Sequence, residues 1–439
     1  MTDMNRLTPL LLALLSACAA GAQTWTARDC MAYAVEHNHQ VKRATLSLDN
    51  DRAARTAAIG RFLPMVDAGI GAQYNFGRAI DPETNTYTDV STFYNGYSLS
   101  ASLPVFDGFG RVHALRAAKA DVLTGKSALR AQQDQTALAT LQAYADLLYY
   151  QGTLRMAEEH QQECDLLVRQ TRLLEEVGRK SQADVAQMEA QQAEAAYEVT
   201  RQRNLLSSAR LELKREMGFP LEDTLQTDSL ERPNWEFEAS KLSVCTLQTA
   251  ALQQAYHQMQ SSRHQWHQAR ASLYPTLSLG AGLSTTYYKQ LHADYGTPFN
   301  SQLKNNMGQY VTLSLDIPLF NRLQTVTGIR RAKNNYLMAR EAYEEKQAEM
   351  QKLCIEAHQD WQAYVRQTAQ MERKLQADSL AYRLTRRQFE EGLSTAIDLR
   401  TTSVTLMQTR ATLLQCRLMA MLKHELIRYY NGEQIWTEQ

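Results

Sequence analysis

The chain has 439 residues; 47 Lys and Arg are balanced by 47 Asp and Glu, and 44% of residues are hydrophobic. That balance excludes the general basic field on which a nucleic-acid partner depends. Beyond the N-terminal segment no run of about 18 apolar residues occurs, so the sequence offers no transmembrane helix.

The N-terminus, MTDMNRLTPLLLALLSACAAGAQTW, has the three parts of a secretory signal. Arg6 is the positive region, Leu7 to Ala17 the apolar core, and Ala20-Gly21-Ala22 a small-residue cleavage site, giving a signal peptide over 1–22. Leu15-Ser16-Ala17-Cys18 resembles a bacterial lipobox, so lipidation of Cys18 stands as the alternative to cleavage after Ala22. Either route exports the protein. The mature chain then carries Cys30, Cys164, Cys245, Cys354 and Cys416, widely spaced. No disulfide framework and no CxxC metal site is expected of them, and their default role is that of small buried hydrophobes.

A first structural repeat is expected over 23–234, with a β-hairpin at about 65–104. Val66, Ala68, Ile70, Ala72, Tyr74 and Phe76 alternate with Asp67, Gly69, Gly71, Gln73, Asn75 and Gly77. A loop, RAIDPETNTYTDVST, is rich in turn formers. After it Tyr97, Leu99, Ala101 and Leu103 alternate with Ser98, Ser100 and Ser102 until Pro104, where the strand is expected to end. Long helices follow over about 110–217. None of the 9 prolines lies between Pro104 and Pro220, or after Pro318. Proline breaks helix interiors, so both tracts are free to form very long helices. A continuous helix from Gly110 to Gly178 would be roughly 100 Å long.

The second repeat, 235–439, repeats the order: a hairpin at about 276–318 and long helices at about 325–430. Leu277, Leu279, Ala281, Leu283 and Tyr287 lie on one face, Ser278, Gly280, Gly282 and Ser284 on the other. A loop with Gly296, Pro298 and Asn300 leads to Val311, Leu313, Leu315 and Ile317, alternating with Thr312, Ser314 and Asp316. In the helical tract Val404, Met407, Ala411, Leu414, Leu418 and Met421 recur at spacings of three and four, as do Leu138, Leu141, Ala145 and Leu148, a coiled-coil period. The halves answer each other at an offset of 214 residues, the distance from Pro104 to Pro318. LPVF matches IPLF, Gly178 matches Gly392, Asp184 matches Asp398 and Gly218 matches Gly432, as expected of a duplicated unit.

Four two-faced strands fit a membrane wall better than a soluble sheet. Their polar faces are small and almost uncharged, and their apolar faces end in the aromatics Tyr74, Phe76, Phe93, Tyr97 and Tyr287, as interfacial girdles do. A membrane sheet must close, because an unpaired amide in hydrocarbon costs several kcal/mol. Four strands cannot close, so several chains must share one barrel. The serines and glycines, with Thr312 and Ser314, then face a wet lumen. Pro104 and Pro318 mark strand-to-helix junctions, with Phe106 and Phe320 as interfacial anchors.

The junctions LPVFDGFGR and IPLFNR, the tip segments EVGRKSQADV and EEGLSTAIDL, and the duplication together resemble the TolC-type outer-membrane efflux protein family over essentially the whole mature chain. The resemblance implies a fold that is mainly α with a membrane β-barrel, built from a duplicated helix-strand-strand-helix-helix unit. It implies a homotrimer with a shared 12-stranded barrel and a 12-helix periplasmic α-barrel. The implied function is the passive exit duct of a tripartite efflux or type I secretion system in the outer membrane of a Gram-negative bacterium, reaching into the periplasm. The implied partners are a periplasmic adaptor protein, an inner-membrane pump of RND, ABC or similar type, and the lipid bilayer.

Gly178 and Gly392 suit the left-handed exit from a helix, and Ser181 and Thr395 stand three residues before Asp184 and Asp398, the capping-box spacing. Plain helix capping therefore stands beside the role the resemblance implies, an acidic ring of Asp184 and Asp398 at a periplasmic aperture that favours cations. Some relatives latch the second turn with a tyrosine and an arginine; Phe389 and Ser394 stand here instead, and Arg179, Lys180 or Arg400 is the candidate substitute cation. His257, His264 and His267 lie on a predicted helix, but no nearby carboxylate or cysteine completes a metal set, and a solvated face is the expected reading. Trp266 and Trp361 are read as packing residues. No nucleophile elbow, P-loop or HExxH occurs, so neither an enzyme nor a cofactor is expected. The rival from another class is a secreted periplasmic or surface coiled-coil structural protein or adhesin, which would use the helices but has no use for four alternating strands.

Overall fold

The computed structural model describes residues 24–80, 85–89, 91–227, 249–291 and 297–436. The signal peptide, Cys18, the cleavage site after Ala22, Cys245 and Gly296 lie outside the described residues. The chain divides into two compact units, one of residues 1–46, 127–253 and 345–439, the other of residues 47–126 and 254–344.

The first unit is helical. Helix α1 (Ala27–His37) starts at a capping box in which the Asp29 amide donates to Thr26 Oγ1 (3.2 Å) and the Thr26 amide donates to Asp29 Oδ2 (3.0 Å). After a break at Asn38, whose side-chain amide donates to the Glu216 carbonyl (2.7 Å), helix α2 runs over His39–Gly60. The expected long helices of the chain are present as α3 (Gly110–Glu176, 67 residues), α4 (Gln182–Met217, 36 residues), α7 (Gln324–Glu390, 67 residues) and α8 (Ala396–Tyr430, 35 residues), with residues 110–126 of α3 and 324–344 of α7 belonging to the second unit. Proline-free tracts rich in Ala, Leu, Gln, Glu and Arg leave no internal break.

Separate apolar clusters hold this unit together. One joins Cys30 and Ala34 to Leu147, Leu213 and Met217; a second joins Met188, Tyr382, Phe389 and Leu399; a third joins Met350, Cys354, Trp361, Ile427 and Tyr430. Each large side chain buried in this way contributes about 1.5–3 kcal/mol. Cys30, Cys164 and Cys416 are free and buried, as expected. Cys354 departs from the expectation for the cysteines, because it is disulfide-bonded. Spacing alone does not reveal such a pair, since a disulfide needs only two Cα atoms within about 7 Å in the folded chain.

The second unit carries a four-stranded antiparallel sheet of order β1-β4-β5-β6, with β1 Met65–Asn75, β4 Thr92–Phe106, β5 Thr276–Gln290 and β6 Gly308–Asp316. The register keeps like opposite like. Ala68 faces Leu99, Leu99 faces Leu283 and Leu279 faces Leu313, while Gly69 faces Ser98, Ser98 faces Ser284 and Ser278 faces Ser314. A one-residue slip would turn each strand's apolar set to the other face, so the alternation fixes the pairing.

Three details differ from expectation. The strand does not stop at Pro104 but continues to Phe106, with the register shifted between the two. A bulge accommodates the amide that proline lacks. The first loop holds a short antiparallel pair, β2 Arg78–Ile80 with β3 Tyr87–Asp89, and the second contains helix α6, Phe299–Asn305. Helix α5 (Ala250–Ala271) leads into β5 through a turn in which the Tyr274 amide donates to the Ala271 carbonyl (3.0 Å).

The entry from β4 to α3 is a tight left-handed turn, with φ of 64° at Gly108 and 66° at Phe109. A Cβ at Gly108 would stand 2.7 Å from the Ala271 carbonyl oxygen and 2.8 Å from the Tyr274 Cβ. Space requires glycine at 108, and the left-handed conformation favours it. Among the described residues no helix is long and apolar enough to cross a membrane.

Candidate functional site

Two features of the sequence reading acquire geometry: the helix-to-helix turns of the first unit and the two-faced sheet of the second. At the first turn, α3 ends with Gly178 at φ 72°, its amide donating to the Glu175 carbonyl (2.8 Å) and the Arg179 amide donating to that of Leu174 (2.8 Å). At the second, Gly392 has φ 79°, with the Gly392 amide on the Phe389 carbonyl (3.1 Å) and the Leu393 amide on that of Gln388 (2.7 Å). Both are Schellman exits, in which glycine avoids the penalty that a Cβ brings to left-handed backbone.

The next helices open alike. Ser181 caps α4, with its hydroxyl (2.8 Å) and amide (3.1 Å) donating to Asp184 Oδ2. Thr395 caps α8, with its hydroxyl (2.6 Å) and amide (3.1 Å) donating to Asp398 Oδ2, which also accepts from Ser394 Oγ (3.3 Å). The hydrogen bonds from Ser181 hold the Asp184 carboxyl below its ordinary value; those from Thr395 do the same for Asp398. Both carboxylates are therefore charged at neutral pH and aligned at the positive end of a helix dipole. Capping alone does not mark a site, because Thr26 and Asp29 form the same box elsewhere in the chain.

The structure joins these turns in a way the sequence did not indicate. Phe389 is buried in the cluster with Met188, Tyr382 and Leu399, and Lys180 Nζ sits 3.9 Å from the centre of its ring. Of the three candidate substitute cations, Lys180 is thus the one placed on Phe389. Arg400 is instead paired with Glu194 (2.8 Å). Arg386 ties α7 to α3 through Glu163 (2.9 Å).

In the sheet, the serine and glycine positions share one face and the leucines the other, as the register requires. Near the loop end the apolar face carries a row of rings. Tyr74 lies 4.8 Å from Phe93, Phe93 6.3 Å from Tyr287 and Tyr287 5.0 Å from Phe299. Leu319 and Phe320, beyond Pro318, are 91% and 79% exposed. Ile70 and Val311, each 77% exposed on the outer strands, present the same apolar surface.

His264 and His267 meet a histidine from another helix, with His113 stacked 6.3 Å and 5.2 Å from their rings. Burial and then the neighbouring cations lower all three below the ordinary imidazole value, Arg116 acting on His113 and His264 and Arg263 on His264 and His267. Among the described residues no group of His, Cys, Asp and Glu has the arrangement to hold a metal ion. Trp266 stacks 5.8 Å from Tyr336, and Trp361 is buried, both as packing residues.

A four-stranded sheet with one apolar face and one face of small polar residues, in the same chain as long helical hairpins, is an architecture shared with known proteins. The outer membrane efflux protein family model matches residues 32–218 and 244–422, and the chain belongs to that family. The fold is shared with solved outer-membrane proteins. CusC matches with a TM-score of 0.81 at 17% identity, covering 92% of this chain and 91% of that one. The CmeC outer membrane channel of Campylobacter jejuni matches with a TM-score of 0.80 at 15% identity, covering 94% and 87%. VceC of Vibrio cholerae matches with 0.78 at 15% identity, covering 92% and 96%. No curated protein sequence matches the chain. As a member of this family the protein is an outer-membrane channel of tripartite efflux, located in the outer membrane of a Gram-negative cell and extending into the periplasm.

Proposed function

We propose that three copies of this chain form one passive exit duct, each donating β1, β4, β5 and β6 to a shared 12-stranded barrel and its long helices to a 12-helix periplasmic barrel. The observation that carries this reading is the sheet order β1-β4-β5-β6, which leaves β1 and β6 at the edges with apolar side chains exposed along both. In a bilayer those edge amides need partners, and identical copies supply them. The chain is read as a duplicated unit, residues 23–234 and 235–439, following a signal peptide over 1–22. It has no catalytic role. Its partners are a periplasmic adaptor and an inner-membrane pump of RND, ABC or similar type, and the pump selects the cargo, since the serine and glycine face of the sheet has no specific pocket chemistry.

Asp184 and Asp398, three copies of each, form the acidic lining of the periplasmic aperture, with Gly178, Ser181, Gly392 and Thr395 shaping the turns. Lys180 over Phe389 latches the second turn. Pro104, Phe106, Pro318 and Phe320 set the membrane boundary at the strand-to-helix junctions. Detergent extraction of outer membranes tests the reading. Native mass spectrometry should find three copies per particle, and planar bilayers containing them should conduct ions. A monomer stable in detergent-free buffer would overturn it.

A further inference from the structure

Beside the sheet, two helices bring bases together without an acid. Helix α5 has no Asp or Glu over its 22 residues, and α3 has none before Asp121. From α3 come His113 and Arg116; from α5 come Arg263, His264, His267 and Arg270. The rings of His264 and His267 lie 6.3 Å and 5.2 Å from that of His113, so the two sets meet along one seam. Arginines elsewhere are matched by carboxylates, as Arg111 is by Asp107 (3.2 Å) and Arg417 by Glu372 (2.7 Å). Among the described residues Arg116, Arg263 and Arg270 are exposed and have no carboxylate partner; Arg270 instead lies 5.8 Å from the centre of the Trp266 ring.

Such a seam is costly as it stands. Burial first, and then Arg116 on all three rings, Arg263 on His264 and His267, and Arg270 on His267, oppose protonation of the imidazoles. The other neighbours are aromatic: Trp266 lies 5.3 Å from His267, and Tyr336 of α7 stacks on Trp266. His113 Nδ1 and His264 Nδ1 are buried with no hydrogen-bond partner, so each has given up water and gained nothing in return. An anion relieves the repulsion among the bases and supplies the missing acceptor.

We propose that this seam between α3 and α5 binds the phosphate of an anionic lipid headgroup. Phosphate suits it because a guanidinium pairs with two phosphate oxygens at once, and each imidazole adds a single donor. Depth favours a headgroup over free phosphate. β4 ends at Phe106 and α3 begins at Gly110; α5 ends at Ala271 and β5 begins at Thr276. At 1.5 Å per residue, His113 and Arg116 stand about 5 Å and about 9 Å into α3, and His267 and Arg270 within about 6 Å of the end of α5. The headgroup layer reaches about 5–8 Å beyond the hydrocarbon. Trp266 and Tyr336 are residue types enriched in that layer. The depth rests on the reading of the sheet as a membrane wall given above; the convergence of bases does not. The histidines stand outside the duplication. Counting from Pro104 to Pro318, the counterpart of His113 is Thr327; counting from Pro64 to Pro275, those of His264 and His267 are Ala53 and Thr56. The seam therefore occurs once per chain.

Calorimetric titration of the detergent-solubilised protein tests this, with short-chain phosphatidylglycerol, short-chain phosphatidylcholine and inorganic phosphate as probes. Phosphatidylglycerol should bind once per chain and more tightly than the other two. Arg116→Gln and Arg263→Gln should each weaken it about five-fold, the effect of one charge near a headgroup layer, whereas Arg331→Gln, at an exposed position of α7, should change it less than about two-fold. At about pH 6 binding should take up protons, because an anion favours the charged imidazole, and His113→Gln with His264→Gln should at least halve that uptake. Equal binding of the two lipids, equal weakening by Arg331→Gln, or no proton uptake by assembled particles would overturn the seam as a site while leaving the shared barrel standing. Inorganic phosphate bound more tightly than phosphatidylglycerol would uphold the phosphate seat and overturn the headgroup as its source. A monomer stable in detergent-free buffer would overturn the barrel and the headgroup together.

Discussion

The proposed aperture makes a quantitative prediction about charge that capping alone does not make. Asp184→Asn with Asp398→Asn removes both charges but leaves a side-chain oxygen that still accepts from the amides and hydroxyls of Ser181 and Thr395. An axial cation about 10 Å from each carboxylate in a water-like medium is favoured about 1.3-fold by each at 0.1 M salt, where screening acts over about 10 Å. Six carboxylates then give about five-fold, rising to about twenty-fold at 0.01 M salt, where the screening length is about 30 Å. Reversal potentials in planar bilayers should show the double variant losing that preference, with the larger loss at low salt. Because capping bonds hold both carboxyls below their ordinary 3.8, the preference should persist in the parent down to that value and fade only below it. The sign follows from linkage: a depressed carboxyl stabilises the cap above its unfolded value and loses that contribution as pH falls through the folded one. Unchanged selectivity, or a loss independent of salt, would refute the charged ring and leave these residues as caps.

Other perturbations test the framework. Gly108→Ala adds left-handed strain of about 1 kcal/mol and crowding of about 1–3 kcal/mol, so it should cost about 2–4 kcal/mol in denaturant titration of the detergent-solubilised protein; a cost near zero would contradict the close approach. Phe389→Ala should cost about 3–5 kcal/mol through its cavity, whereas Lys180→Met, which keeps the stem, should cost at most about 1 kcal/mol. Hydrogen exchange should then be about five-fold faster at the second turn in Lys180→Met, as that energy implies. Asp134 is pushed up to about 6 by burial, against the opposing pull of Arg130, so its ionisation destabilises the fold as pH rises through that value. Asp134→Asn should raise the melting temperature most above pH 6, and the gain should vanish below the ordinary carboxylate range.

Residues close together along the chain fix the local features. Period-two alternation sets the faces of β1, β4, β5 and β6, proline-free tracts set the two 67-residue helices, and Ser-x-x-Asp and Thr-x-x-Asp after glycine set the turns. Each is a local preference readable within about ten residues. The continuation of β4 past Pro104, the β2 and β3 pair and helix α6 escaped that reading, because each depends on what lies alongside the segment. Packing of the folded chain put Lys180 on Phe389, Glu194 on Arg400, and His113 on His264 and His267. Those partners lie far apart in sequence. Their meeting depends on how whole helices pack, a sum of many weak contacts that no short pattern encodes.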